Sequence, residues 1–384
     1  ACLSLFALRS YITGENIPAV LSRMFEHSVH ATMNTGGNFP IGDSHCGDKE
    51  TVMLPAVSLY LATGDRKYID TALHFEGRDM LMKETAASVH RFRDYDRLKA
   101  DIDAAISSEH KIELQSIAFQ RSIGESFIRT GWNRDDISVA MIARSPIQNN
   151  HAHIDPCSFI MTASGKPLIL DPGIYTYREG SDRYRYKSTR YHSTVSINGK
   201  DAWQYISSWK YGPQKGSCIT RTEKREGLII AEMVSECYGN ALIKRTMALL
   251  DEGVLIILDS ISGTAIGDTA EISFNVSSEN TAAEGRTIYT EDEGANIMIQ
   301  TAIGEVIRED GFYSPVLDIE QKTTMVRNRI VSDGRSMVIP TVLIPFRSGS
   351  VPRKAVIISE EDRTEIRTEN SALIYEKGEI GYIC

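Results

Sequence analysis

From about residue 112 to its end, the chain is a succession of short apolar or alternating runs. Polar, often glycine-bearing turns separate them, and no stretch of helical period interrupts the series. A doubly wound sheet needs a helix between successive parallel strands, so that class is excluded. The pattern predicts a large antiparallel β-sandwich. Strands are expected at 117–119, 126–129, 138–143, 159–162, 168–170, 194–197, 228–234, 242–250, 254–258, 271–276, 295–300, 322–326, 337–345, 353–358 and 372–375. Asp251-Glu252-Gly253 joins two of these as a hairpin turn.

The first third has a different period. Val20, Leu21, Met24, Phe25, Val29 and Met33 recur at helical spacings. Further helices are expected over 51–62, closed by Gly64, from the capping residue Asp65 to about 83, and over 92–105. Cys2–Tyr11 reads as the middle of an apolar helix, so a piece of a longer protein is expected. The fold class is α+β and multidomain: a helical block over 1–111, then a sandwich over 112–384.

At 384 residues the chain can bury two cores. No apolar run is long enough to span a bilayer. A net charge of -9 argues against nucleic acid as a partner. One basic cluster, Arg178, Arg183, Arg185, Lys187 and Arg190, is compact enough to suit a short anion such as an acidic oligosaccharide, or to be a solvated loop. The six cysteines form no CxxC pair, which excludes a thiolate knuckle but leaves one or two disulfides open.

His151-Ala152-His153-Ile154-Asp155 is the sharpest chemical feature. In a strand, His151, His153 and Asp155 share one face, where three polar groups need partners, whether ordinary hydrogen bonds or a cation. Asp171 ends an apolar run in Leu170-Asp171-Pro172-Gly173, and His192 precedes the run 193–197. Two imidazoles and a carboxylate suit Zn²⁺, in a catalytic or a structural site. Asp155 is a candidate general base for a metal-dependent glycan hydrolase. His151 is a candidate for proton exchange near neutral pH. Tyr184, Tyr186 and Tyr191 flank the basic cluster, whose positive charge would favour a phenolate.

Residues 151–159, 165–173 (Gly-Lys-Pro-Leu-Ile-Leu-Asp-Pro-Gly) and 188–195 (Ser-Thr-Arg-Tyr-His-Ser-Thr-Val) resemble the heparinase II/III-like polysaccharide lyases. So do Phe39-Pro40-Ile41-Gly42-Asp43-Ser44, Gly131-Trp132 and Asp310-Gly311-Phe312-Tyr313-Ser314. The resemblance implies an (α/α) toroid, here partial, followed by a layered antiparallel β-sandwich. It implies that His153, Asp171 and His192 hold a structural zinc ion, that His151 acts in the active site, and that Tyr184 or Tyr186 is a further cleft tyrosine. It places the main catalytic tyrosine in a glycine- and tyrosine-rich toroid segment. No such segment is found in this sequence, so that tyrosine is expected upstream of residue 1 or on another chain of an oligomer. The implied activity is β-elimination at a uronate within a glycosaminoglycan, alginate or bacterial polysaccharide. Arg185 and Arg190 are then the substrate-binding candidates, and a periplasmic or secreted location is expected. The rival readings are the metal-dependent hydrolase and a non-catalytic acidic-glycan-binding fragment.

Overall fold

The computed structural model describes residues 17–45, 56–57, 59–60, 63–87, 95–108, 112, 114–144, 151–350, 352–360 and 363–383. The chain divides into two compact units, Ala1–Thr32 with Lys49–Gln115, and Met33–Asp48 with Ser116–Cys384.

In the first unit, helices span Ile17–His30, Lys67–Ala87 and Tyr95–Ser107. Asp65 caps the second of these: its Oδ1 accepts the Lys67 N–H at 3.0 Å. Gly77, at φ 72°, breaks that helix into two segments, where the sequence predicts one continuous run. Glycine takes this conformation without the steric cost that a Cβ imposes. Phe25 packs edge-on against Tyr68 with ring centroids 5.2 Å apart, and Leu81, Leu98 and Ile102 are buried. Of the expected helix over 51–62, residues 56–57 and 59–60 are described and helical; the apolar opening, 2–11, lies outside the described residues. Among the described residues, no helix is long and apolar enough to cross a membrane.

The second unit is layered. Its nine-stranded sheet runs Ile117–Gln120, Glu125–Arg129, Ser138–Ile142, Ser158–Ala163, Lys166–Ile169, Thr269–Val276, Ile319–Val331 and Glu305–Val316, with Val195–Ile197 paired alongside Thr269–Val276. The eight-stranded sheet runs Thr281–Glu284, Thr287–Thr290, Ala295–Thr301, Met337–Arg347, Val254–Ser262, Ala241–Leu250, Leu228–Tyr238 and Ser217–Arg225. A third sheet of four strands covers Val356–Ser359, Arg363–Arg367, Ala372–Glu376 and Glu379–Ile383. The pairing is antiparallel throughout these ladders, as in the hairpin where Leu250 faces Val254 across Asp251–Gly253.

The eight-stranded sheet is the middle layer. Leu249, Leu255 and Ile257 point to one side, against Met161, Phe274 and Val276 of the nine-stranded sheet. Leu250, Ile256 and Leu258 point to the other, against Ile366, Leu373 and Tyr375. Burial on both faces explains why these strands read as unbroken apolar runs. Each such side chain contributes about 1.5–3 kcal/mol by leaving water. The strands not foreseen include Ser217–Arg225 and Glu305–Val316, which lie at sheet edges. Their charged side chains discourage pairing with other chains and mask the strand pattern.

Residues 33–48 belong to this β unit, although the sequence places them within the helical block of 1–111. Arg129 Nη1 donates to Asn34 Oδ1 at 2.8 Å, and the Phe39 and Phe127 rings lie 5.8 Å apart. Among the described cysteines, Cys157, Cys218 and Cys237 are free thiols.

Candidate active site

Residues 151–157 do not form the strand that would put His151, His153 and Asp155 on one face. His151 and Cys157 take left-handed backbone conformations, at φ 59° and 58°, which break the two-residue alternation. The three side chains therefore diverge. His151 is exposed, whereas His153 and Asp155 are fully buried. Asp155 accepts both Arg144 Nε (2.8 Å) and Arg144 Nη2 (2.9 Å), and Ser158 Oγ donates to it at 2.9 Å. Burial alone would raise its pKa, but the Arg144 guanidinium outweighs that and holds the carboxyl well below its usual range.

His153 meets Asp171 and His192 instead, and the candidate ligand atoms of the three lie within 4.8 Å of one another. All three sit where the chain enters or leaves a strand of the nine-stranded sheet. Asp171 follows Lys166–Ile169, and its Oδ1 accepts the Gly173 N–H at 2.8 Å in an Asp-Pro-Gly turn. His192 closes the short 3₁₀ turn Thr189–Tyr191 ahead of Val195–Ile197.

The hydrogen bonds around this cluster fix its protonation. His192 Nδ1 is 2.8 Å from the Ser188 carbonyl oxygen, which can only accept, so Nδ1 carries the proton and Nε2 a lone pair. His153 Nε2 is 3.1 Å from Asp43 Oδ1, so the lone pair of His153 is on Nδ1. Those two lone-pair nitrogens face each other at 2.9 Å, with Asp171 oxygens 3.6 and 3.5 Å away. Two lone pairs and a carboxylate in a buried site require a cation among them, either a proton or a metal ion. With a proton there, burial lowers both histidines. Bonds to Asp171 and Asp43 reverse this for His153, whose pKa is raised, while that of His192 stays lowered.

Asp43, from the Phe39–Ser44 segment, joins this cluster to His151. Arg183 Nη1 donates to Asp43 Oδ1 at 2.6 Å, and Arg183 Nη2 donates to Oδ2. Lys187 Nζ lies 3.6 Å from Oδ2, and His151 Nδ1 3.4 Å from it. Arg183 and Lys187 are one turn apart on the helix Ser181–Lys187, which turns both inward. Burial raises the Asp43 pKa, but the bonds from His153 and Arg183 outweigh it and leave the carboxyl well below its usual range. Burial also pulls Lys187 down to about 8. The Asp43 N–H donates to the His151 carbonyl at 2.9 Å, and a Cβ on Gly42 would lie 2.3 Å from that oxygen. Glycine at 42 is therefore a condition for the close approach that fixes His151.

The other foreseen residues lie on different faces of the same helix or beyond it. The Tyr184 hydroxyl donates to Asp201 at 2.7 Å, and burial together with that bond pushes its pKa up to about 12. Tyr186 is buried and donates to Glu320 at 2.8 Å; burial raises its pKa further. Arg185 is ion-paired with Glu320, and Arg190 with Glu309 at 2.8 Å. The basic cluster thus divides: Arg183 and Lys187 serve Asp43, while Arg185 and Arg190 neutralise carboxylates of the outer strand pair, Glu320 on Ile319–Val331 and Glu309 on Glu305–Val316.

Sequence reasoning missed Asp43, Arg183 and Lys187 as a unit, although the i, i+4 spacing of the two cations was a usable signal. It also missed Arg245. This fully buried side chain is bidentate to Asp259 (2.7 and 3.1 Å) and donates to the carbonyls of Cys157 (2.9 Å) and Ser193 (3.0 Å). It ties the loops that follow Asp155 and His192 to the middle sheet.

A layered antiparallel sandwich carrying a buried cluster of two histidines and a carboxylate defines the structural class. The model of the heparinase II/III-like, C-terminal family matches residues 123–369, more than half of the chain. The chain belongs to this family. Similar solved structures include a heparinase III (13% identity, TM-score 0.72, covering 96% of this chain and 55% of that one). They also include heparan sulfate lyase HepC from Pedobacter heparinus (15% identity, TM-score 0.62, covering 99% of this chain and 64% of that one). At such identities the likeness is one of fold. The chain spans less than two thirds of the length of these structures. No curated protein matches it in sequence.

Proposed function

We propose that this chain is part of a polysaccharide lyase that cleaves uronate-containing glycans by β-elimination. The observation that carries the reading is His151: an exposed imidazole whose backbone is pinned by Asp43 and whose Nδ1 lies against the same carboxylate. Asp43 is in turn neutralised by Arg183 and Lys187. Orienting one ring nitrogen inward leaves Nε2 to meet substrate.

In the proposed reaction, His151 contacts the uronate carboxylate and offsets the charge that builds up when the C5 proton is removed. The electron pair of that C–H bond forms the C4–C5 double bond, the C4–O4 bond breaks, and O4 takes a proton. The family resemblance assigns proton abstraction to a tyrosine of the toroid, and the helices of the first unit are read as part of that toroid. Tyr184 and Tyr186 are poor substitutes, because each donates to a carboxylate that disfavours its phenolate. His153, Asp171 and His192 fit a zinc ion through two lone-pair nitrogens and a carboxylate; when bound, it supplies a cross-link between the segments that carry them. The engagement of both Asp155 oxygens by Arg144 argues against a hydrolase that uses Asp155 as its base. A periplasmic or secreted location goes with the proposed substrate.

The test is to mix the complete lyase of which this chain is proposed to be part with heparan sulfate, hyaluronan and alginate and follow the ultraviolet absorbance of the unsaturated uronate product. A rise that His151→Ala reduces by about 10²–10⁴-fold, with the melting temperature unchanged, is expected. No rise on any of these glycans would count against the lyase reading and favour the acidic-glycan-binding one.

A further inference from the structure

We infer that Trp209 and Tyr177 form an aromatic platform that stacks on a pyranose ring of the same acidic oligosaccharide, next to the ring held at His151. The inference rests on the glycan reading of the His151 site and adds a subsite to it.

Trp209 sits at the tip of a small hairpin formed by Tyr205–Ser207 and Lys210–Tyr211. Trp209 is 46% exposed and Tyr177 41%, large values for aromatic residues beside a buried ion cluster. The two rings are nearly parallel, 14° apart in plane, with centroids 5.6 Å apart. The His151 ring meets both of them edge-on, 5.2 Å from Trp209 and 6.1 Å from Tyr177. The Arg183 guanidinium, itself fully buried, lies 5.2 Å from the Tyr177 centroid and 5.6 Å from that of Trp209. The guanidinium that holds Asp43 thus lies within cation–π distance of both rings and helps to anchor them beside the site.

The hairpin is secured at its base. Glu179 accepts the Tyr205 hydroxyl and the Ser208 N–H, each at 2.7 Å, and Lys187 Nζ donates to the Tyr211 hydroxyl at 3.1 Å. Trp209 is therefore presented by a packed support. Two rigid rings stacked on each other, each still partly exposed, offer an amphipathic surface at little entropic cost. The C–H face of a pyranose is the complementary surface, and the polar edge of the sugar remains free for His151. A uronate at His151 and its neighbouring sugar on Trp209 and Tyr177 make one continuous site.

The test uses two probes, a glucuronate–hexosamine tetrasaccharide and a tetramannuronate, titrated into the chain while its tryptophan emission and product absorbance are followed. Trp209→Ala should weaken binding of the preferred probe by about ten-fold or more, the scale of an aromatic contact in a binding hot spot. Trp209→Phe should retain affinity within about three-fold but lose the emission change. Tyr177→Ala provides the same reading should Trp209→Ala fail to fold. Wild-type affinity in a folded Trp209→Ala or Tyr177→Ala protein overturns the platform, and leaves the lyase reading standing if product still forms. Trp209-dependent binding without product supports the platform and overturns the activity of the chain by itself. Absence of binding by the wild-type chain to both probes overturns the platform and the glycan reading together.

Discussion

The Nδ1 of His153 and the Nε2 of His192 face each other 2.9 Å apart, and each is left with a lone pair by the acceptor bonded to the opposite side of its ring. Asp171 closes the third side. A metal ion there would replace a shared proton, so its binding energy should be linked to folding. Zinc removal by a chelator should lower the melting temperature, at a cost of about 3 kcal/mol for an ion present at 100 times its dissociation constant. Asp171→Ala should abolish the difference between the zinc-loaded and stripped proteins. An unchanged melting temperature after metal analysis has verified stripping would refute a structural zinc.

Replacement of Arg245 by methionine should destabilise the chain by about 3–5 kcal/mol, because Asp259 is left buried and without its cation. Urea unfolding measures this. The double replacement of Arg245 and Asp259 by apolar residues of similar volume should recover much of the loss. A loss below about 1 kcal/mol in the single variant would show that the pair contributes little.

Asp43 and Asp155 both have folded-state pKa values held below the ordinary 3.8, after burial is outweighed by His153 and Arg183 in one case and by Arg144 in the other. In the acid range the unfolded chain binds more protons than the folded one at these sites. Their contribution is thus present above pH 3.8 and is lost as pH falls toward the folded values. Asp43→Asn should lower stability at neutral pH and make the acid limb of the stability curve shallower. Equal slopes in both proteins would remove Asp43 from the account.

Gly42→Ala should cost more than Gly36→Ala. Both glycines have positive φ, 69° and 92°, and so incur strain of about 1–2 kcal/mol on gaining a Cβ. At Gly36 the new atom meets nothing within 4 Å, whereas at Gly42 it would press on the His151 carbonyl. The Gly42 variant alone should also reduce turnover, since it moves His151. Equal costs and equal turnover in the two variants would separate Gly42 from the site.

Much of the β unit was legible because burial leaves a local trace. Runs such as 254–258 are apolar at every position because the middle sheet is covered on both faces, and Asp251-Glu252-Gly253 is suited to the turn it makes. Edge strands such as Glu305–Val316 were missed because solvent and ion pairs, which leave no period, determine their side chains. In the site, the family resemblance singled out His153, Asp171 and His192 as one set, and they lie together in the fold. The shared strand face of His151, His153 and Asp155 was misread, because a left-handed conformation at non-glycine residues such as His151 and Cys157 leaves no reliable mark in the sequence.

The sequence by itself determined the strand-rich class and the family resemblance, and through the resemblance the three-residue cluster, since these rest on local pattern and motif. Tertiary structure alone decided that Asp43 joins His151 to His153 across more than a hundred residues, and that Arg183 and Lys187 turn inward while Arg185 turns to Glu320. It also placed Trp209 beside His151. Partnership between distant charges depends on which surfaces the sheets bring together, and a one-dimensional pattern does not encode that choice.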